Sequence, residues 1–279
     1  MNTKLLYNKH LQILFFLILM LCSLQLQAAI LMQGGYSHEF TTVPGGVYKK
    51  SIKLKNMGRT AQEIKIYMED YMFNAGGRSN FTAARLRKNP LSNSQWIKFS
   101  PNRLVLAPGA ERVINYTMRV PRRRLTGTYW SALVIEPVAA SSLESTRKHY
   151  NDKKVHMNIQ QVARHAVQIV AQMGDTGKAN IQFKHPVMKK ESGKRTFSLD
   201  AYNVGTRWIK PDVWLDVYNQ QGGFVGKFKG DGSRIYPRTS VTLPVDISRL
   251  RSGKYKGLFV VDGGSNSEIL ATDINLTIR

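Results

Sequence analysis

With 279 residues, 42% of them hydrophobic and 10% aromatic, the chain is long enough for two ordinary domains and apolar enough to give each a core, which excludes disorder as a whole. Lysine and arginine number 41 against 18 aspartates and glutamates, a formal charge of +23 that favours anionic partners. No basic helix, zinc-ligand spacing or RNA-binding aromatic signature accompanies that charge, so no nucleic-acid partner is expected; acidic protein clients, anionic envelope polymers and lipid headgroups stand beside a merely solvated surface.

Lys4 and Lys9 precede an apolar run from Leu11 to Leu24, and small residues follow at Ala28 and Ala29. This order reads as a secretory signal peptide over residues 1–28. The apolar run is shorter than the roughly 20 residues that a membrane-spanning helix needs, so no transmembrane span is expected in the mature chain. The only cysteine, Cys22, lies inside the signal, so the exported protein would hold together by packing without disulfides. Leu21 stands where a lipoprotein site has a small residue, which makes the periplasm the expected compartment and a lipid-anchored or surface-exposed form the lesser reading.

After the signal, Tyr36 to Thr42 reads as a strand, Val43-Pro44-Gly45-Gly46 as a turn, Tyr48 to Leu54 as a second strand and Asn56-Met57-Gly58 as a closing turn. From Glu63 to Phe73, Ile64, Ile66 and Met68 alternate with Lys65, Tyr67 and Glu69, the period of a half-buried strand. Residues 74–94 carry little periodicity and are expected to form a long loop. Gln95 to Pro137 reads as three or four short strands between Pro and Gly turns, with Ile114, Tyr116, Met118 and Val120 on one face of an extended segment. Residues 139–154 are polar, mixed in charge and free of Gly and Pro, the composition of a mobile loop. Val155, Met157 and Ile159 then alternate with polar residues, and Val167, Ile169 and Ala171 alternate again after a break; one long strand and two consecutive ones fit equally well. Met173 to Ala179 is turn-rich and marks a domain boundary.

The second half repeats the first in outline. Asn203-Val204-Gly205 parallels Asn56-Met57-Gly58, and Leu250 through Gly253 to Tyr255 parallels Leu125, Gly127 and Tyr129. Seven strand signals follow in the second half, beginning near Ile181, Thr196, Val213, Phe224, Val241, Tyr255 and Ile269. The fold class is therefore all-β: two immunoglobulin-like β-sandwiches in tandem, over 29–173 and 179–279.

Catalytic chemistry is not legible. The histidines lack metal-ligand spacing, and a site joining His156 to His165 would need a bend in the strand. Gly222 to Lys227 suits a hairpin better than a phosphate loop, and Asp262 to Glu268 suits a solvated turn better than a calcium loop. No catalytic residue, metal or cofactor is predicted. The densest charge cluster is Arg119, Arg122, Arg123 and Arg124 beside Pro121, able to hold a carboxylate or an anionic polymer bidentately or simply to be solvated. All four tryptophans, Trp96, Trp130, Trp208 and Trp214, lie in or beside strands and read as packing before sugar platforms, with Trp208, flanked by Arg207 and Lys210, the best candidate for an exception.

Asn56, Trp96-Ile97-Lys98-Phe99-Ser100-Pro101, Leu104-Val105-Leu106-Ala107-Pro108-Gly109, Val120-Pro121 and Gly127-Thr128-Tyr129 come in an order that resembles the first domain of PapD-like periplasmic chaperones, which assemble pili. The same turns also resemble the peptidoglycan-facing domain of WxL-interacting surface proteins. The match spans about residues 34–172. The chaperone resemblance implies a non-enzymatic protein that lends its last first-domain strand to an incomplete extracytoplasmic subunit, by backbone pairing and alternating apolar side chains. On this chain those side chains are Val155, Met157, Ile159, Val167 and Ile169. The family anchors its client's terminal carboxylate with an arginine on the first strand and a lysine on the last; Arg164 falls near the lysine position, and no arginine occurs between Ala29 and Gly58. The other expectation is an envelope or surface module that holds peptidoglycan or a polysaccharide on its basic face.

Overall fold

The computed structural model describes residues 30–84, 89–138, 163–264 and 269–279. The predicted signal peptide, the predicted loop 139–154, and Val155, Met157 and Ile159 lie outside the described residues. Ten strands make the first unit: β1 (Ile30–Gln33), β2 (Ser37–Thr42), β3 (Val47–Asn56), β4 (Gln62–Phe73), β5 (Ser79–Ala83), β6 (Ile97–Ser100), β7 (Arg103–Leu106), β8 (Glu111–Arg119), β9 (Thr128–Pro137) and β10 (His165–Met173). They form two sheets, β1-β3-β8-β6 and β2-β10-β9-β4-β5, with β7 also on β4. Alternation supplies the core: Ile52 and Leu54 of β3 with Ile114, Tyr116 and Met118 of β8 meet Ile64 and Ile66 of β4 and Leu133 and Ile135 of β9.

The chain begins on one sheet and crosses to the other. Ile30–Gln33 pairs antiparallel with β3, then Gly34 and Gly35 adopt φ of 118° and 81°, and Ser37–Thr42 lies parallel to β10. Two consecutive positive φ values are cheap only for glycine. His38, fully buried just past this crossing, ties it down: Nε2–H donates to the Gly34 carbonyl at 2.8 Å and Nδ1 accepts the Tyr116 hydroxyl at 2.7 Å. Burial lowers the His38 pKa from 6.5, with nearby Lys50 acting in the same direction against the Gly34 bond. The unfolded chain thus takes up a proton there before the folded one does, so this contribution to stability is present above about pH 6.5 and is lost as pH falls from there through the folded pKa. Thermal denaturation between pH 7.5 and pH 5 should show the midpoint falling with acid, and His38→Gln should flatten part of that dependence.

The second unit holds seven strands: β11 (Ile181–Glu191), β12 (Lys194–Asn203), β13 (Asp212–Tyr218), β14 (Phe224–Gly230), β15 (Ser240–Asp246), β16 (Gly253–Asp262) and β17 (Ile269–Ile278). They run in the order β11-β12-β15-β14-β13-β16-β17, and the β14–β15 link is a single pair, Gly230 with Val245, where the sheet folds over into the two layers of a sandwich. Each predicted strand of this half coincides with one of the seven, the first being longer than its apolar signal because Lys184 to Lys190 run along an exposed edge.

The internal repeat holds at the level of hydrogen bonds. Asn56 is buried and its amide donates to the carbonyls of Thr60 and Leu106 while its Oδ1 accepts the Gly58 N–H. Asn203 does the same with Arg207, Ile235 and Gly205. Both sit at the end of the strand that pairs with β8 or its counterpart β15, so one side chain closes the same turn in each sandwich. Alanine at either position leaves two carbonyls and an N–H short of a partner, an expected loss of about 3 kcal/mol in chemical denaturation.

The segment 74–94 departs from its expected loop. Asn74 to Gly77 form a tight turn and Ser79–Ala83 returns antiparallel along β4 as β5. Its aromatic residue, Phe81, stacks on Tyr71 at 4.6 Å. The turn also reaches the second sandwich, where the Ala75 N–H donates to Ser240 Oγ and the Thr242 hydroxyl to the Ala75 carbonyl.

Candidate strand-binding edge and domain junction

β10 is built to be seen from both sides. Val167, Ile169 and Ala171 point into the first core, while Ala166, Gln168 and Val170 lie on the opposite face with Ala132 and Trp130 of β9. Val167 and Ile169 are fully buried, so these two predicted client-binding side chains fill their own sandwich instead of being offered to a partner. The reason is register: β10 pairs with β9 over its whole length, and every odd-numbered side chain from Val167 to Ala171 is thereby turned inward.

The other edge of β10 is only partly covered. β2 pairs with Gln168 to Met173 and no further, and the Gln168 N–H donates to the Tyr36 carbonyl at 2.9 Å. By the two-residue alternation of an antiparallel strand, the N–H and C=O of Ala166 point to the same side. Among the described residues no strand pairs with His165 to Val167 there. His165 fastens the end of this open stretch, its Nε2–H donating to the Ile30 carbonyl at 3.0 Å and its Nδ1 accepting the Tyr36 hydroxyl at 3.1 Å.

Arg164 stands just before the open edge. Its guanidinium meets Glu69 at 3.4 Å, lies 5.0 Å from the Phe81 ring centroid and remains 43% exposed. Tyr67 and Glu136 complete the group: the Tyr67 hydroxyl donates to Glu136 in a short bond, and burial followed by that bond pushes the phenol up to about 12. Burial raises the Glu69 carboxyl, and Arg164 opposes the shift. The Arg164 guanidinium therefore lies across β9, over β4 and β5, on the side of β10 away from the open edge, with donors left over for an anion.

The other predicted cations are elsewhere. Arg119 ends β8, and Arg122, Arg123 and Arg124 are exposed in the turn that leads to Thr128, which pairs with Gln172 at the far end of β10 from His165. At about 3.3 Å per residue the two ends of β10 are more than 20 Å apart. Arg164 and the Arg119–Arg124 cluster are therefore two places, not one site.

The junction between the sandwiches is a buried aromatic cluster. Tyr236, fully buried, stacks on Trp130 at 4.9 Å, meets Phe73 edge-on at 5.8 Å and lies 6.1 Å from Trp208, while its hydroxyl donates to Gln168 on β10. Trp208, the best candidate for an exception to packing among the tryptophans, is thus a junction residue, in line with the packing reading of the others; its N–H donates to Thr128 Oγ1. Around it, the Thr128 N–H bonds to the Thr206 carbonyl, and Glu39 of β2 receives Arg234 through Nε and Nη2, both at 2.6 Å. Gly127 permits a close approach: with φ of 77°, a Cβ there would sit 2.2 Å from the Thr206 oxygen. The boundary at 173–179 is likewise bonded, Gln172 Nε2 donating to the Gly174 and Thr176 carbonyls. None of this junction was readable in the sequence, where Gly232 to Ser240 shows only loop composition.

Among the described residues no group of three His, Cys, Asp or Glu could hold a metal ion, and no helix is long and apolar enough to cross a membrane. The Asp262 carboxylate caps its own turn, accepting the Gly264 N–H at 2.8 Å.

No family model and no curated protein matches the chain. Solved structures do show likeness. A chain from a chaperone–tip adhesin complex of CFA/I fimbriae biogenesis is 13% identical with a TM-score of 0.47, covering 88% of this chain and 97% of its own. The class 5 fimbriae chaperone CfaA is 14% identical at a TM-score of 0.45, covering 88% and 98%. A chain from the CsuC–CsuE chaperone–tip adhesion subunit pre-assembly complex of Acinetobacter baumannii Csu pili is 13% identical at 0.42, covering 88% and 98%.

Proposed function

We propose that this is an exported, chaperone-like binding protein that captures an extended strand of an extracytoplasmic pilus or surface subunit along the open edge of β10. The observation that carries the reading is the half-covered edge: β2 stops at Gln168, and among the described residues no strand pairs with the Ala166 backbone groups on that side. Such an edge supplies main-chain hydrogen bonds to an added strand, while alternate side chains give specificity. The sequence resemblance to PapD-like chaperones suggests the class of client, an immunoglobulin-like subunit lacking one strand. The alternating Val155, Met157 and Ile159, which precede β10 in the chain, are proposed as the apolar side chains lent to that subunit, and Arg164 as the cation that meets its terminal carboxylate.

The reading is tested by co-expressing the chain in the periplasm with exported subunits encoded beside it. The triple variant Val155→Asp, Met157→Asp, Ile159→Asp should fold with an unchanged melting midpoint and lose the co-purifying subunit. Retention of the subunit by that variant would refute the assignment of these residues.

A further inference from the structure

The sheet β1-β3-β8-β6 turns one side to the first core, and its other side carries a concentration of cations. Lys49, Lys53 and Lys55 of β3, Arg119 of β8 and Lys98 of β6 all lie on that outer side, since Ile52, Leu54, Tyr116, Met118 and Ile97 occupy the inner one. Register brings them together: Lys49 is opposite Thr117, which is opposite Lys98, and Arg119 is opposite Val47 two pairs further along, the next position on the same face. Arg122 extends the group, its side chain packing against Gly45 in the turn that enters β3. Among the described residues Glu111 is the one carboxylate of this face, and Lys53 and Lys55 already hold it. Lys49, Lys98, Arg119 and Arg122 have no ion-pair partner among the described residues.

The shape of the face selects among anions. It extends about 30 Å along β3 and three strand spacings, about 14 Å, across. No aromatic residue of these four strands points outward, so it offers no stacking surface for sugar rings, and its exposed apolar residues are the scattered aliphatics Leu31, Val47 and Val113. A linear polyanion would follow one row of such a grid, whereas a plane of negative charge meets all of its cations at once.

We propose that this face docks the protein on the surface of an anionic phospholipid bilayer, by electrostatic attraction without insertion. Each lysine or arginine held near an anionic leaflet strengthens association about fivefold, within a Debye length of the surface. The face belongs to the sheet opposite β10, so membrane docking and strand capture are independent, and failure of one leaves the other intact.

The experiment is sedimentation of the full chain with vesicles of equal parts phosphatidylcholine and phosphatidylglycerol, against vesicles of phosphatidylcholine alone. Binding is expected only with phosphatidylglycerol and should weaken steeply as salt is raised. The triple variant Lys49→Gln, Lys98→Gln, Arg119→Gln should bind about a hundredfold more weakly. A matched variant of the second sandwich, Lys189→Gln, Lys190→Gln, Lys254→Gln, should change binding less than fivefold. Equal weakening by both variants would show a response to net charge alone and overturn the proposal. So would undiminished binding by the first variant, or binding to soluble dextran sulfate with none to the vesicles.

Discussion

Tyr236→Ala is expected to lower the stability of the folded chain by about 4 kcal/mol, the range of a large aromatic deleted from a packed site. The side chain fills the space between Trp130 of the first sandwich and Trp208 of the second, with Phe73 edge-on to it. Its removal leaves a cavity in the aromatic cluster at the junction. It also leaves the Gln168 carboxamide oxygen without its donor. Burial pushes the Tyr236 phenol above its ordinary pKa, so the ring remains a neutral donor throughout the physiological range. Tyr236→Phe keeps the stacking and loses only the hydroxyl bond, for an expected cost of about 1 kcal/mol. Urea denaturation separates the two, and small-angle scattering should show the alanine variant with a larger radius of gyration than the phenylalanine one. Equal stability of the alanine variant and the parent would mean that the junction is not cohesive.

The second large effect concerns function alone. Ala166→Pro should abolish client capture while leaving the first sandwich intact. The Ala166 N–H lies on the side of β10 away from β9, so proline there removes a donor from the open edge and none from the β9 ladder. The side chain lies on the outer face of the sheet beside Val134, away from Val167 and Ile169 of the first core. Val167→Pro is the contrasting variant. Its N–H belongs to the β9 ladder and its side chain is buried, so it should unfold the domain. Capture by Ala166→Pro at the parental level would show that the edge is not used.

How much of this was legible from the residues depends on what each position faces. The two Asn-x-Gly turns and the Gly127 and Gly253 strand entries were visible because a local turn needs those residue types at that spacing, and both turns recur with the same hydrogen bonds. The alternation around Val167 and Ile169 was also visible, yet its direction was not. An apolar period of two says that a strand has one buried face, and it does not say whether the chain's own core or a partner buries it. β10 in addition buries Val170 from the outer side, because the junction covers that face, and no alternation records a strand covered twice. β5 escaped notice since its five residues have only Phe81 as an apolar anchor. His38 with Tyr116 and Trp130 with Tyr236 are pairs 78 and 106 residues apart (116 − 38 and 236 − 130), contacts that only the assembled sheets create.

The central claim is that the β10 edge accepts a strand at Ala166, and backbone amide exchange of the chain with and without a bound subunit tests it most directly. The account predicts that the Ala166 amide becomes protected in the complex while the Val167 amide, already bonded to β9, stays as it was. A complex that forms with the Ala166 amide exchanging at its free rate would contradict it.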